Sequence, residues 1–352
     1  MAFHRPRGER WTTVGGPPGQ RVRVRGYCLA TLWRSADLAD ERAARPDENE
    51  ADRVMPSTAT AAVRLPSKAQ WPSDVRLVAS DMDGTLLDED GRLPDDFWPV
   101  LEGLAQRGIT FVPASGRQLG VLHRAFAGRA PAEPSFIAEN GHLVVHRGRT
   151  VFQTRMDPAS VRRAIRAVRA AGGRAPGIGL VLSGLESAYI EHPDPAFAAR
   201  ARHYWTTITE VSDLLDVRDD ILKAALVGVA PDQQEVVRLI TNACPGYRLV
   251  ASAPDWLDIL RRDVNKGTAL RLLQRQLGVL PSQSIAFGNY PNDAELLGAA
   301  GHGFAVANSH PDLLPHARWI APTNIDLGVV RVLEMLLAQQ TIHTDAHTRE
   351  VR

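Results

Sequence analysis

Val75-Arg76-Leu77-Val78-Ala79-Ser80-Asp81-Met82-Asp83-Gly84-Thr85 is the stretch that decides the fold of this 352-residue chain. Val75 to Ala79 is a short apolar run that ends in polar residues, the pattern of a buried strand. A helix is expected near Pro94 to Arg107. Pro99 marks its first turn, because proline is tolerated there and breaks a helix interior. Ile109 to Ala114 is apolar again. A strand, helix, strand unit with short connections requires a parallel sheet covered by helices, and ligands then bind beyond the carboxyl ends of the strands. The polar residues directly after each strand are therefore the candidates for function.

Further along, two alternating runs between Ser135 and Phe152 flank Arg147-Gly148 and read as a hairpin appended to the sheet. Asp157-Pro158 supplies an N-cap and first-turn pair for an amphipathic helix with Val161, Ile165 and Val168 on one face. Strands are expected at Ile178 to Leu182, Ser187 to Ile190, Ile221 to Val229 and Tyr247 to Ala251, with a helix at Asp232 to Ala243. From Trp256 the parallel rhythm resumes. It runs through a strand to Leu260, a helix from Lys266 to Leu277, strands at Ser284 to Phe287 and Phe304 to Val306, and a last helix near Leu327 to Ala338. The expected organisation is a doubly wound α/β core made of residues 74–156 and 251–340, split by an inserted α+β domain at 157–250. Residues 341–352 are expected to be a loose tail. Residues 1–73 carry many Pro and Gly and little apolar period, so they read as a disordered extension, or as one left untranslated if Met55 is the start.

Composition excludes several classes. The formal net charge is +1 with acids and bases interspersed, which lacks the long-range attraction that nucleic-acid and membrane-surface proteins use. A small-molecule partner is expected. No run approaches the roughly 18 apolar residues of a membrane span, and the N-terminus lacks the apolar core of a signal peptide. The only two cysteines, Cys28 and Cys244, argue against a disulfide framework. A soluble cytoplasmic protein follows as the expectation.

Four segments carry chemistry. Asp81 and Asp83 stand two positions apart at a strand end, and Gly84 permits the bend that brings both to one ligand, with Thr85 beside them. One carboxylate can attack phosphorus while the other donates a proton to the leaving oxygen, and Mg²⁺ can share the charge. Ser115-Gly116-Arg117 offers a hydroxyl and free backbone N–H groups at a helix start, where a phosphoryl oxygen binds well. Lys266 opens a helix behind Asn265. It is one of only three lysines, with Lys68 and Lys223, among 41 basic residues, and a compact ammonium suits tight contact with phosphate and carboxylate. Gly288-Asn289-Tyr290-Pro291-Asn292-Asp293 brings further oxygen ligands to the same sheet edge. Each segment alone could be an ordinary turn or cap; together they are far more specific.

Taken in order, these segments resemble the four motifs of the haloacid dehalogenase superfamily across Val75 to Leu337. The short stretch after Thr85 leaves no room for a cap domain, whereas the long interval from Ser115 to Lys266 does. That resembles the Cof-type branch, whose α+β cap is inserted at the later position. Phe111 to Gln118, Ala138-Glu139-Asn140-Gly141 and Gly184-Leu185-Glu186-Ser187-Ala188-Tyr189 look like its bacterial sugar-phosphate phosphatases. The resemblance implies a Rossmann-like core, with Asp81 as nucleophile, Asp83 as general acid and base, and Ser115 and Lys266 as phosphoryl binders. It implies Mg²⁺ held by Asp81, the carbonyl of Asp83, Asn289 and Asp293. Gly84, Thr85, Gly116, Arg117, Glu139, Asn140, Glu186 and Asn292 would surround a small phosphorylated metabolite. One position departs from the pattern: Asn289 stands where the family has aspartate, which should weaken the metal site. The competing expectations are a phosphomutase, a phosphosugar-binding regulatory protein with weakened turnover, and a response-regulator receiver, against which the Asp81/Asp83 pair and the long insertion argue.

Overall fold

The computed structural model describes residues 11–15, 21–25, 60–131, 134–172, 178–191, 195–228, 233–253 and 256–349. The chain divides into two compact units, Met1–Ser57 and Thr58–Arg352. In the first, two runs rich in Thr and Val, β1 (Trp11–Gly15) and β2 (Arg21–Arg25), pair antiparallel, as β-branched residues favour. The rest of that unit lies outside the described residues, and every candidate site residue falls in the second.

The second unit begins its sheet with β3 (Leu77–Ser80), α1 (Phe97–Gln106), β4 (Thr110–Pro113) and α2 (Leu119–Phe126). Pro99 does sit in the first turn of α1. There follow β5 (Phe136–Ala138), β6 (Leu143–His146) and β7 (Arg149–Gln153), an antiparallel ribbon joined to the end of β4 by a bridge from Ala114 to Ile137. Arg147 (φ 47°) and Gly148 (φ 70°) are both left-handed, the conformation a two-residue hairpin turn requires.

The inserted block runs α3 (Pro158–Gly172), β8 (Gly179–Gly184), β9 (Ala188–Glu191), α4 (Pro195–Tyr204), β10 (Ile208–Val211), β11 (Ile221–Val227), α5 (Gln234–Ala243), β12 (Tyr247–Ala253) and β13 (Trp256–Arg261). Its six strands are ordered β10-β9-β8-β11-β13-β12. Strand alternation sends Leu180 and Leu182 towards Ile165 and Val168 of α3 and Ile240 of α5. Val181 points the other way, to Phe197 and Ala201 of α4.

The chain then returns through α6 (Lys266–Leu277), β14 (Ser284–Gly288), α7 (Ala294–Ala299), β15 (His302–Val306), β16 (Trp319–Ala321) and α8 (Gly328–Arg349). The five-stranded sheet is ordered β16-β15-β14-β3-β4 and is parallel throughout. Strands β3, β14 and β15 are buried at every position, as a sheet covered on both faces demands. Strand order runs outwards in both directions from β3, so the end of β3 is the switch point at which such sheets bind ligands.

Four sequence expectations are corrected. Residues 60–73 are not a free extension: Arg64 and Ile320 exchange backbone hydrogen bonds of 2.9 Å, and Trp71 stacks on Phe304 at 6.3 Å. The short segment thereby pairs the exposed side of edge strand β16, which would otherwise display unpaired N–H and C=O groups. The strand from Trp256 does not belong to the parallel sheet. As β13 it lies antiparallel between β11 and β12, so a boundary at 250/251 would cut β12 in two. Helix α4 and strand β10, unexpected from the sequence, complete the outer side of the insertion. Helix α8 continues through the expected tail to Arg349, where no Gly or Pro interrupts it.

Candidate active site

Strand β3 delivers Asp81, whose N–H bonds the carbonyl of Phe287 in β14 at 3.0 Å. The carboxylate is buried, and its two oxygens have separate partners. Oδ2 accepts the hydroxyl of Thr85 at 3.0 Å, and Oδ1 accepts Lys266 Nζ at 2.5 Å. The turn that lets Thr85 reach back depends on Gly84: its φ is +68°, and a Cβ there would lie 2.4 Å from Asn289 Nδ2.

Lys266 occupies the first position of α6. Asn265 caps that helix reciprocally with Thr268, accepting from its N–H at 2.7 Å while Thr268 Oγ1 accepts the Asn265 N–H at 3.0 Å. The cap fixes where the ammonium emerges, and a second bond of 2.7 Å to Asp293 Oδ1 completes its setting. The other oxygen of Asp293 accepts the N–H groups of Asn289 and Tyr290 at 3.0 and 3.3 Å. Both Asp293 oxygens are thus engaged in holding the loop, and the residue is fully buried.

Electrostatics follow from this packing. Burial above all, then the charge of Asp293, push the Asp81 carboxyl up to about 7 against the pull of Lys266, with Asp83 adding to the rise. Burial opposes the Lys266 ammonium, but Asp293 and Asp81 outweigh it and hold that group above its ordinary value. Two buried carboxylates, Asp81 and Asp293, thus share one buried cation.

The second carboxylate, Asp83, is half exposed and meets the Arg117 guanidinium in a two-point pair, Nε to Oδ2 at 2.9 Å and Nη2 to Oδ1. Ser115 is buried at the end of β4, and its Oγ accepts the N–H of Arg117 at 3.1 Å. The tight turn of Glu139 and Asn140, both left-handed at φ 52° and 55°, clamps this loop: Glu139 N–H bonds the Arg117 carbonyl and Asn140 N–H the Ser115 carbonyl.

A cleft of about 110 Å³ opens over these groups. Asp81, Asp83, Ser115, Gly116, Arg117, Lys266, Asn289 and Asn292 reach it from the parallel sheet, so three distant loops and a helix start converge on one space. The inserted sheet supplies the opposite wall with Tyr204, Trp205, Lys223, Ser252, Trp256 and Asp258. Trp256 stacks on Trp205 with centroids 5.2 Å apart and packs against Tyr204 at 4.4 Å. None of those six residues was singled out from the sequence as a ligand contact. Lys223 carried one available signal, the rarity of lysine in this chain.

Other expected contacts lie elsewhere. Glu186 does not line the cleft; its N–H is tied to Asp219 at 2.8 Å, which also accepts the Tyr189 hydroxyl. Gly84, Thr85, Glu139, Asn140 and Asp293 stand behind the cleft surface as supports.

The donor chemistry suits a hard divalent cation. Asp81, the Asn289 amide oxygen and the carbonyl of Asp83 are oxygen donors, and the surplus of carboxylates over Lys266 calls for positive charge. Among the described residues no three His, Cys, Asp or Glu side chains surround one point. A full protein cage is thus missing, and Mg²⁺ does not need one, since it keeps waters and uses one or two carboxylates with substrate phosphate.

A family model described as haloacid dehalogenase-like hydrolase matches residues 78–333. The chain is 28% identical over 270 residues to the 5-amino-6-(5-phospho-D-ribitylamino)uracil phosphatase of Escherichia coli K12, covering 76% of this chain and 97% of that one. It is 30% identical over 255 residues to the HMP-PP phosphatase of an Enterobacter species, covering 68% of this chain and 86% of that one. A solved structure from Streptococcus mutans UA159 superposes with a TM-score of 0.68 at 23% identity, over 75% of this chain and 99% of the other.

Proposed function

Because the chain belongs to the haloacid dehalogenase-like hydrolases, we propose that it is a phosphatase that passes the phosphoryl group of a small organic phosphate through Asp81 to water. The observation that carries this reading is the placing of one buried carboxylate, held by Thr85 and Lys266, at the floor of a cleft that Ser115, Asp83 and Asn289 also line.

In the first step an Asp81 oxygen forms a bond to phosphorus as the bond from phosphorus to the leaving oxygen breaks, and Asp83 gives that oxygen its proton. In the second, Asp83 takes a proton from the water that attacks the same phosphorus, and Asp81 and inorganic phosphate are released. Lys266 and the N–H groups of the Ser115 loop bind the equatorial oxygens, where charge gathers in the transition state. Mg²⁺, held by Asp81, the Asp83 carbonyl and Asn289, would neutralise phosphoryl charge when bound. The wall from the inserted sheet covers the site and excludes water.

The leaving group is a sugar or a sugar-like chain. Tyr204, Trp205 and Trp256 offer apolar faces, and Ser252 offers a partner for a hydroxyl. The Escherichia coli relative is named for a substrate in which a phosphorylated ribityl chain is joined to a uracil ring, a shape that such a wall suits. A panel of phosphorylated metabolites assayed with Mg²⁺, with Asp81→Asn as the blank, tests the reading. Phosphate release that depends on Asp81 and is greatest for phosphorylated polyols and sugars supports it. Transfer of the group to a second hydroxyl of a hexose phosphate, without free phosphate, would make the protein a mutase.

A further inference from the structure

Lys223 is one of three lysines in the chain, lies in the middle of β11 of the inserted sheet, and is almost wholly buried. The chemistry above does not use it. Its ammonium donates to the carbonyl of Gly116 at 2.7 Å and to Asp258 Oδ1 at 3.0 Å, and sits 3.5 Å from Glu139 Oε2. Of the three N–H donors of an ammonium, two are thus committed to Gly116 and Asp258, while Glu139 Oε2 adds charge without a hydrogen bond.

The Gly116 carbonyl belongs to the peptide unit whose N–H is that of Arg117. In a trans peptide the two point in opposite directions, and among the described residues no peptide is cis. A cation fixed on the carbonyl therefore fixes the direction of the Arg117 N–H, which faces Ser115 Oγ at 3.1 Å on the side where a phosphoryl oxygen would bind. The positive charge also polarises the peptide and strengthens that N–H as a donor. Asp258 braces the arrangement from a second side: its Oδ2 accepts Asn140 Nδ2 at 2.7 Å, and Asn140 lies against Gly116 so closely that a Cβ there would be 3.1 Å from Nδ2.

We propose that Lys223 is a positioning residue through which the inserted sheet sets the phosphoryl-binding turn, by holding the Gly116 to Arg117 peptide in the orientation that presents its N–H to the transferring group. The catalytic turn is completed only when the inserted sheet is seated on it. The proposal rests on the phosphatase reading, and its test separates the two. Burial works against the Lys223 ammonium, yet Asp258 and Glu139 outweigh it and keep it charged, as the role requires.

The test compares kcat, KM and inhibition by orthovanadate, a mimic of the five-coordinate phosphoryl group, in wild type, Lys223→Gln and Ser183→Ala. Ser183 belongs to the same buried cluster, donating to Glu139 Oε1 at 2.8 Å, but does not touch Gly116. Lys223→Gln should lower kcat and vanadate affinity together by about 10 to 100-fold, less than the roughly 10² to 10³ lost when such a donor is removed outright. KM should stay within about threefold, because ground-state binding is not the affected quantity. Ser183→Ala should leave kcat within about threefold. If Lys223→Gln does not fold, Lys223→Met/Asp258→Asn removes the cation with a counter-charge, which buried pairs tolerate better than a single deletion, and the same split is expected. A folded Lys223 variant with kcat and vanadate affinity near wild type, or with its loss confined to KM, overturns the proposal while Asp81-dependent turnover stands. Wild-type protein without Asp81-dependent phosphate release overturns the phosphatase reading instead.

Discussion

The two walls of the cleft put polar residues to work in opposite ways. On the parallel sheet, the candidate side chains follow the strands: Asp81 after β3, Ser115 after β4, Asn289 after β14. The strands themselves are buried at every position of β3 and β14 and carry only one serine each among apolar residues and glycine. On the inserted sheet, the polar residues that reach the cleft are inside strands, Lys223 in β11 and Asp258 in β13, each within an otherwise apolar run. The first arrangement lets loops carry chemistry on a scaffold that does not depend on them. The second makes the charges part of the core, where each must be paired to be tolerated at all. Changes at Asp81 and Asp83 should therefore cost turnover with little stability, since burial already disfavours the Asp81 charge and Lys266 keeps Asp293 as partner, and changes at Lys223 and Asp258 should cost both.

The largest effect expected on the first wall is that of Asp81→Asn, which should reduce kcat by about 10⁴-fold or more while leaving the thermal midpoint near that of wild type. A collapse of stability in that variant would erase the distinction between the walls. Asp83→Asn comes next, with kcat lowered by about 10² to 10⁴-fold for alkyl phosphates. The loss should shrink for an aryl phosphate whose leaving oxygen needs no proton, and equal losses for both would remove Asp83 from that role.

Where the walls meet, pH provides a sharper probe. His142, in the turn before β6, donates from Nδ1 to the Glu139 carbonyl at 2.9 Å and accepts the N–H of Arg261 on Nε2 at 3.4 Å. Burial above all lowers its pKa from 6.5 to about 4, in spite of the bond to the Glu139 carbonyl. The unfolded chain binds this proton first, so the contribution to stability is complete above pH 6.5 and is lost as pH falls from there towards 4. The loss amounts to about 3 kcal/mol. Urea unfolding at pH 7 and pH 4.5 should register it, and His142→Gln should flatten that part of the profile; an unchanged slope in the variant would assign the pH dependence elsewhere.

Smaller effects are expected at two further positions. Asn289→Asp restores a charged oxygen to the metal loop and should tighten Mg²⁺ binding by about tenfold in calorimetry; equal affinity would show that the amide oxygen is no poorer a ligand here. Glu186→Ala should change kcat and KM by less than about twofold, since Asp219 keeps that loop out of the cleft. A marked rise in KM would return the loop to the substrate.

The same contrast explains what the sequence could reveal. The parallel core was legible because hydrophobic runs of strand length end abruptly in Asp, Ser, Gly and Asn, and that junction is itself the site. The middle block was legible as strands and helices, except for α4 and β10. Phe197 and Ala201 lie on the buried face of α4, but arginines and alanines surround them and mute the helical period. The apolar run from Trp256 to Leu260 reads as a strand and is one, β13, but its sheet is not legible, because an apolar run announces burial without naming its neighbours. Lys223 and Asp258 were hidden for a deeper reason. A charge inside a strand looks like a solvent-facing position until its partner, distant in the chain, is known. Glu186 illustrates the other direction: an exposed acid in a loop resembles a contact residue, while the fold ties its N–H to Asp219, outside the cleft lining. The docking of residues 60–73 rests on a few backbone bonds and on Leu65 and Trp71, two apolar residues too far apart to set a visible period.

The central claim is that Asp81 itself carries the phosphoryl group during turnover. A single-turnover reaction with a substrate radiolabelled on phosphorus, quenched in acid and digested, tests it most directly. Label is expected on the peptide containing Asp81 at times before phosphate release is complete, and none should appear with Asp81→Asn. Phosphate released in full with no label ever on that peptide, or label on another residue, would contradict the account.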